Sequence, residues 1–130
     1  MKTILLIENN AEMLQNLTEY LEMEGFKTLV TDNGKRGLEL AGEYLPDLII
    51  CDVLMPEMNG YEVLRFLLKS AKTSEIPFIF STSVSEKNNR TKALKLGADD
   101  YIIKPFELET LLNMVKTCIK TGSKRCACTK

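Results

Sequence analysis

Leu48-Ile49-Ile50-Cys51-Asp52-Val53-Leu54-Met55-Pro56 decides the reading of the whole chain. Four apolar residues run without a break and then a carboxylate follows. A short apolar run with no polar alternation fits a strand buried on both faces. Asp52 then stands where that strand ends. Met55-Pro56-Glu57-Met58-Asn59-Gly60 supplies Pro, Asn and Gly as breakers, so the chain turns there. Ligands of open parallel sheets bind at the carboxyl ends of the strands.

Working outward, the same grammar recurs. Ile4-Leu5-Leu6-Ile7 is an apolar run closed by Glu8-Asn9-Asn10. Met13, Leu14, Leu17 and Leu21 follow at helical spacing, with Gly25 placed to stop the helix. Lys27 to Val30 reads as a second strand and Asp32-Asn33-Gly34 as a turn. Leu38, Leu40, Ala41 and Leu45 give a second helix that ends before Pro46. After Asp52, a third helix is expected on Val63, Leu64, Leu67, Leu68 and Ala71. Pro77-Phe78-Ile79-Phe80 is the fourth strand, ended by Ser81-Thr82-Ser83. Ala93, Leu94 and Leu96 mark a fourth helix closed by Gly97. Tyr101-Ile102-Ile103 is the fifth strand, ended by Lys104-Pro105. Leu108, Leu111, Leu112, Val115 and Ile119 carry the last helix. Strands alternating with helices imply an α/β fold, a parallel sheet with helices on both faces.

Composition narrows the function classes. The chain has 130 residues, 45% hydrophobic and 27% charged, as expected of one globular domain. Its net charge of −1 gives no electrostatic case for nucleic acid or an anionic membrane. No apolar run approaches the roughly 20 residues of a membrane-spanning helix, and the start is too short in apolar residues for a secretory signal. A cytoplasmic protein with reduced thiols is expected. Cys126-Ala127-Cys128 suggests a metal, but structural zinc takes four ligands and the chain contains no histidine. The expected domain is residues 1–121, followed by a disordered polar tail over 122–130.

The strand tips carry the chemistry. They present Glu8 and Asn9, then Asp52, Thr82 and Lys104, and a parallel sheet brings its tips to one edge. Each residue has a plainer reading taken alone: Asp52 as a turn cap, Glu8 as a solvated acid, Lys104 as a surface lysine, Thr82 as a strand-end hydroxyl. Their convergence favours one pocket. Its oxygen ligands suit a hard divalent cation such as Mg2+, while Lys104 and Thr82 suit an anion. Phosphoryl transfer onto Asp52 needs that combination.

These segments resemble the response-regulator receiver domain of two-component signalling, the CheY-like fold. The resemblance covers about residues 2–120. It rests on Ile4 to Asn10, Pro46 to Asp52, Met55-Pro56 with Asn59-Gly60, Ser81-Thr82-Ser83, and Leu96-Gly97-Ala98-Asp99-Asp100-Tyr101 running to Lys104-Pro105-Phe106. It implies a doubly wound five-stranded sheet of order 2-1-3-4-5. It also implies roles. Asp52 is the phosphoacceptor; Glu8, Asn9, Asp52 and the Leu54 carbonyl form the metal site; Thr82 and Lys104 bind the phosphoryl group. Tyr101, with Thr82, matches the switch, although a strand tyrosine is most often packing. A cis Lys104-Pro105 bond is common in the family. Leu54 and Val84 flank the path of hydrolytic water, and both are apolar, which implies slow loss of the phosphoryl group.

The implied partners are a sensor histidine kinase or a histidine phosphotransfer protein. Output would pass to a downstream protein through the fourth helix, fifth strand and fifth helix. A stand-alone monomer or weak dimer is expected, without nucleic acid or membrane. It would catalyse at most its own phosphorylation and dephosphorylation.

One position departs from the family pattern: Asn9 stands where an aspartate is usual. An amide still offers an oxygen but removes a charge, worth up to about 4 kcal/mol per opposing charge at ~4 Å and an effective dielectric near ~20. The alternative is therefore a pseudo-receiver, a binding module with weak or no phosphorylation. A flavodoxin-like cofactor protein would want a glycine-rich phosphate loop after the first strand, and Glu8 to Glu12 has none. The loss of periodicity after Lys120 predicts that truncation after Gly122 leaves the thermal midpoint unchanged. A clear drop on calorimetric melting would show that the tail docks.

Overall fold

The computed structural model describes residues 1–83 and 87–122. Val84, Cys126 and Cys128 lie outside the described residues. In chain order the elements are β1 (Thr3–Ile7), α1 (Ala11–Met23), β2 (Lys27–Thr31), α2 (Gly34–Tyr44), β3 (Leu48–Cys51), α3 (Gly60–Lys69), β4 (Phe78–Thr82), α4 (Lys87–Leu96), β5 (Asp100–Ile103) and α5 (Leu108–Thr121). The strands form one parallel sheet of order β2-β1-β3-β4-β5. This is the expected doubly wound CheY-like fold.

Alternation along each strand divides the core into two layers. Leu5, Ile7, Ile49, Cys51, Phe78 and Phe80 face one side, where α2, α3 and α4 bring Leu40, Val63, Leu64, Leu67 and Ala93. Ile4, Leu6, Leu48, Ile50 and Ile79 face the other, against Leu17 and Leu21 of α1 and Leu111, Leu112 and Val115 of α5. The central strands are buried on both faces, which is why they read as unbroken apolar runs. Met13 packs against the α1/α5 layer, as its helical spacing implied, and Met114 of α5 packs there too.

Several boundaries differ from the sequence reading. Ala71 is not on the third helix, because α3 ends at Lys69. The Thr73 hydroxyl donates to the Leu67 carbonyl at 2.6 Å. That carbonyl is the one an amide at Ala71 would need to continue the helix, so the chain leaves in a turn. Leu45 is also off its helix. It caps α2 in a left-handed conformation, φ 48°, and is half exposed. Asn33 is more than a turn residue: its side chain caps α2 by accepting from the Arg36 amide at 2.8 Å. Ser81 and Thr82 belong to β4 rather than to the loop beyond it.

Two aspartates clamp strand starts by the same device. Asp47 precedes β3; its amide donates to the Thr3 carbonyl and its carboxylate accepts from the Thr3 amide, both at 2.8 Å. Asp99 precedes β5 and makes the matching pair with Phe78, again both at 2.8 Å. The clamps fix where each strand begins, and hence which residue stands at its far tip. Asp99 is only 1% exposed. Replacing it leaves the buried Phe78 amide without its acceptor, so Asp99→Ala should lower stability by roughly 2–3 kcal/mol. Asp47→Ala, at a more exposed site, should cost about 1 kcal/mol or less. Urea unfolding of the two variants checks the order.

Candidate functional site

The backbone ladder continues one residue past three strands. The Glu8 amide donates to the Thr31 carbonyl at 3.1 Å, the Asp52 amide to the Ile7 carbonyl at 2.9 Å, and the Lys104 amide to the Thr82 carbonyl at 2.8 Å. Glu8, Asp52 and Lys104 are therefore held by the sheet itself, and all three stand at its carboxyl edge.

Their side chains meet. Lys104 Nζ lies 2.6 Å from Glu8 Oε1 and 3.4 Å from Asp52 Oδ2. Both acids are buried, with Glu8 at 3% and Asp52 at 6% exposure. Each acid uses its second oxygen locally: Glu8 Oε2 accepts from the Asn10 amide at 3.2 Å, and Asp52 Oδ1 accepts from the Leu54 amide at 3.3 Å. Burial pushes the Glu8 carboxyl above its ordinary value; the Lys104 hydrogen bond opposes that and the Asp52 charge adds to it. Two carboxylates thus share one ammonium, leaving one negative charge uncompensated in a poorly solvated place.

The other expected residues take different positions. Thr82 is fully buried at the tip of β4, beside Lys104 through its backbone. Asn9 is exposed, next to Glu8. Leu54 is 56% exposed, past the Asp52 turn. Tyr101 is 1% exposed and its ring packs on Phe80 at 6.2 Å, so it is part of the core here. Its hydroxyl is pushed up to about 12, first by burial and then by the neighbouring Tyr61. The Lys104-Pro105 peptide is cis.

Four supporting residues have roles that the sequence reading did not assign. Asn10 caps α1, its Oδ1 accepting from the Met13 amide at 2.9 Å, while its own amide holds Glu8. Asn59 and Glu62 form a capping box that starts α3 directly after the Asp52 loop; the Asn-x-x-Glu spacing was a readable signal for it. Gly60 sits so close that a Cβ there would collide with the Asp52 carbonyl oxygen, while its amide donates to the Val53 carbonyl at 2.9 Å. Only a glycine lets α3 begin that near the acid.

A five-stranded parallel sheet of this order, flanked by five helices, defines the CheY-like class of fold. The sequence profile of the response regulator receiver domain matches residues 4–116. The chain belongs to that family. It is 34% identical to protein PilH of Pseudomonas aeruginosa, over 92% of this chain and 98% of that one. It is 38% identical to the transcriptional regulatory protein CusR of Escherichia coli, over 92% of this chain and 52% of CusR. The chain thus spans about half the length of the transcriptional regulators it matches. Among solved structures, the signal receiver domain of a histidine kinase from Syntrophus aciditrophicus superposes with a TM-score of 0.85 at 35% identity, covering 93% of this chain and 92% of that one. The receiver domain of the Francisella response regulator 1452 gives 0.87 at 28% identity, covering 93% and 98%. Phosphorylation on an aspartate, Mg2+ dependence, and contact with histidine kinases or phosphotransfer proteins are general to the family. Among the described residues, no helix is long and apolar enough to cross a membrane.

The shared ammonium makes a specific prediction. Lys104→Met leaves two buried acids facing each other and should cost roughly 3 kcal/mol at neutral pH in the absence of divalent ions. The Glu8 carboxyl, already raised, should rise further. A carboxyl raised in the folded state binds its proton more tightly there than in the unfolded chain. Stability therefore falls as pH climbs from the unfolded value toward the folded one, and returns as pH falls. The variant's deficit should shrink as the pH is lowered. Denaturant titrations at several pH values in EDTA measure this.

Proposed function

We propose that Asp52 accepts a phosphoryl group from the phosphohistidine of a kinase or histidine phosphotransfer protein, in a Mg2+-dependent reaction. The observation that carries this reading is the Glu8–Lys104–Asp52 contact at the carboxyl edge of the sheet. The chain holds no histidine, so the donor lies outside these 130 residues.

The residues present fit a divalent ion. Glu8 and Asp52 offer hard carboxylate oxygens that share one ammonium, and the Leu54 carbonyl and the Asn9 amide would complete the protein's share. When bound there, Mg2+ supplies charge neutralisation for the transferring oxygens. The chain's own groups do the rest. An Asp52 oxygen attacks phosphorus in line, the P–N bond of the donor breaks, and its electron pair returns to the imidazole, which takes up a proton. Lys104 pairs with one phosphoryl oxygen, and the Thr82 hydroxyl donates to another. Burial keeps water from competing as the nucleophile. The exposed, apolar Leu54 offers no hydrogen bond to orient water, in keeping with a long-lived acyl phosphate. The signal would leave through protein contacts on α4, β5 and α5.

Intact-mass measurement after treatment with acetyl phosphate and Mg2+ tests this. One added phosphoryl group is expected, absent from Asp52→Asn and absent in EDTA. An unmodified wild-type chain would instead support the pseudo-receiver reading. Because Asn9 lacks the usual charge, phosphorylation should require more Mg2+ than in a receiver with the full acid set. Asn9→Asp should tighten Mg2+ about tenfold, a difference of roughly 1.4 kcal/mol. It should also lower metal-free stability slightly by repulsion. Titrations with thermal unfolding as a second readout check both, and equal affinity would place Asn9 away from the metal.

A further inference from the structure

α4 has little apolar surface with which to hold itself in place. Among its described side chains, Ala93 is buried and Leu96 partly so. Its attachments are largely cationic. Arg90 Nη1 donates to the Tyr101 carbonyl at 2.8 Å, and Nη2 lies 3.6 Å from Asp100. These tie α4 to β5. On its other side, the Lys92 ammonium lies 4.7 Å from the ring centroid of Tyr61, the second residue of α3. That distance is within the range of a cation–π contact.

Tyr61 is well placed to pass on movement. It directly follows Gly60, which is wedged against the Asp52 carbonyl. Its ring packs edge-on to Phe80 at 5.2 Å, and Phe80 packs on Tyr101. Tyr61 is only 9% exposed, and its hydroxyl lies beside that of Tyr101. Packing on Phe80 holds the ring from the core side, and the Lys92 cation covers it from α4. A shift of the Asp52 loop would carry Gly60 and Tyr61 with it, and Lys92 would feel the change first.

We propose that Tyr61 and Lys92 form a clasp that fixes α4 against α3, so that the position of α4 follows the loop carrying Asp52. The second half rests on the reading of Asp52 as the phosphoacceptor. Lys92 is exposed, so the chain folds without its cation, and the clasp can be opened cleanly.

Hydrogen-exchange mass spectrometry on the full chain tests the clasp. Without phosphorylation, Lys92→Gln should speed exchange of the α4 amides about fivefold, the factor that corresponds to a contact near 1 kcal/mol. Lys92→Arg should restore slow exchange, and Lys92→Gln should add nothing to Tyr61→Leu in the double variant. Wild-type exchange in Lys92→Gln would overturn the clasp. After acetyl phosphate and Mg2+, with incorporation counted by mass, α4 exchange should change in the wild type and change less than half as much in Lys92→Gln. An equal change in both would overturn the coupling. If no phosphoryl group is incorporated, the proposed function fails, while the comparison of unphosphorylated proteins still decides the clasp.

Discussion

A single ammonium between two buried carboxylates is the constraint on which the rest of the site depends. Lys104, at the tip of the edge strand β5, reaches Asp52 beyond the central β3 and Glu8 beyond β1. The three residues are far apart in the chain, so only the parallel sheet brings them together. Taking these charges out of water is costly, and the pairing offsets that cost only while the geometry holds. Two carboxylates against one ammonium leave the cluster short of positive charge, and the proposed Mg2+ site and the proposed chemistry at Asp52 both rest on that shortfall.

The scaffold around that contact is built to hold acids near helix starts. Asn10 opens α1 beside Glu8, and Asn59 with Glu62 opens α3 just after the Asp52 loop. Both caps satisfy amides that would otherwise lack partners. The same capping residues fix the turns that follow the strand tips. Cys51, next to Asp52, is fully buried, and its thiol is pushed well up by burial and by the two acids. It donates to the Asp52 carbonyl at 3.2 Å and acts as packing rather than as a nucleophile.

Much of this was legible in the sequence because burial on two faces leaves a plain signature. Ile4 to Ile7 and Leu48 to Cys51 carry no polar residue, so the first polar group after each run had to mark a tip. That logic located Glu8 and Asp52, and Lys104 followed from Tyr101 to Ile103. What periodicity could not show was where helices stop. Ala71 kept the helical spacing, but the Thr73 hydroxyl takes the carbonyl that the next turn required. Nor could spacing reveal the clamps of Asp47 and Asp99, since each depends on a strand far away in sequence. The position of Lys92 over Tyr61 depends on how α3 and α4 pack, which no local pattern encodes.

The account stands on Glu8 being a carboxyl held in deficit of positive charge. Carboxyl-carbon NMR of the Glu8 side chain, titrated with pH, measures this directly. Without divalent ions its midpoint should lie above the ordinary glutamate range, and saturating Mg2+ should bring it down. An ordinary midpoint that Mg2+ does not move would contradict both the buried charge cluster and the metal site built on it.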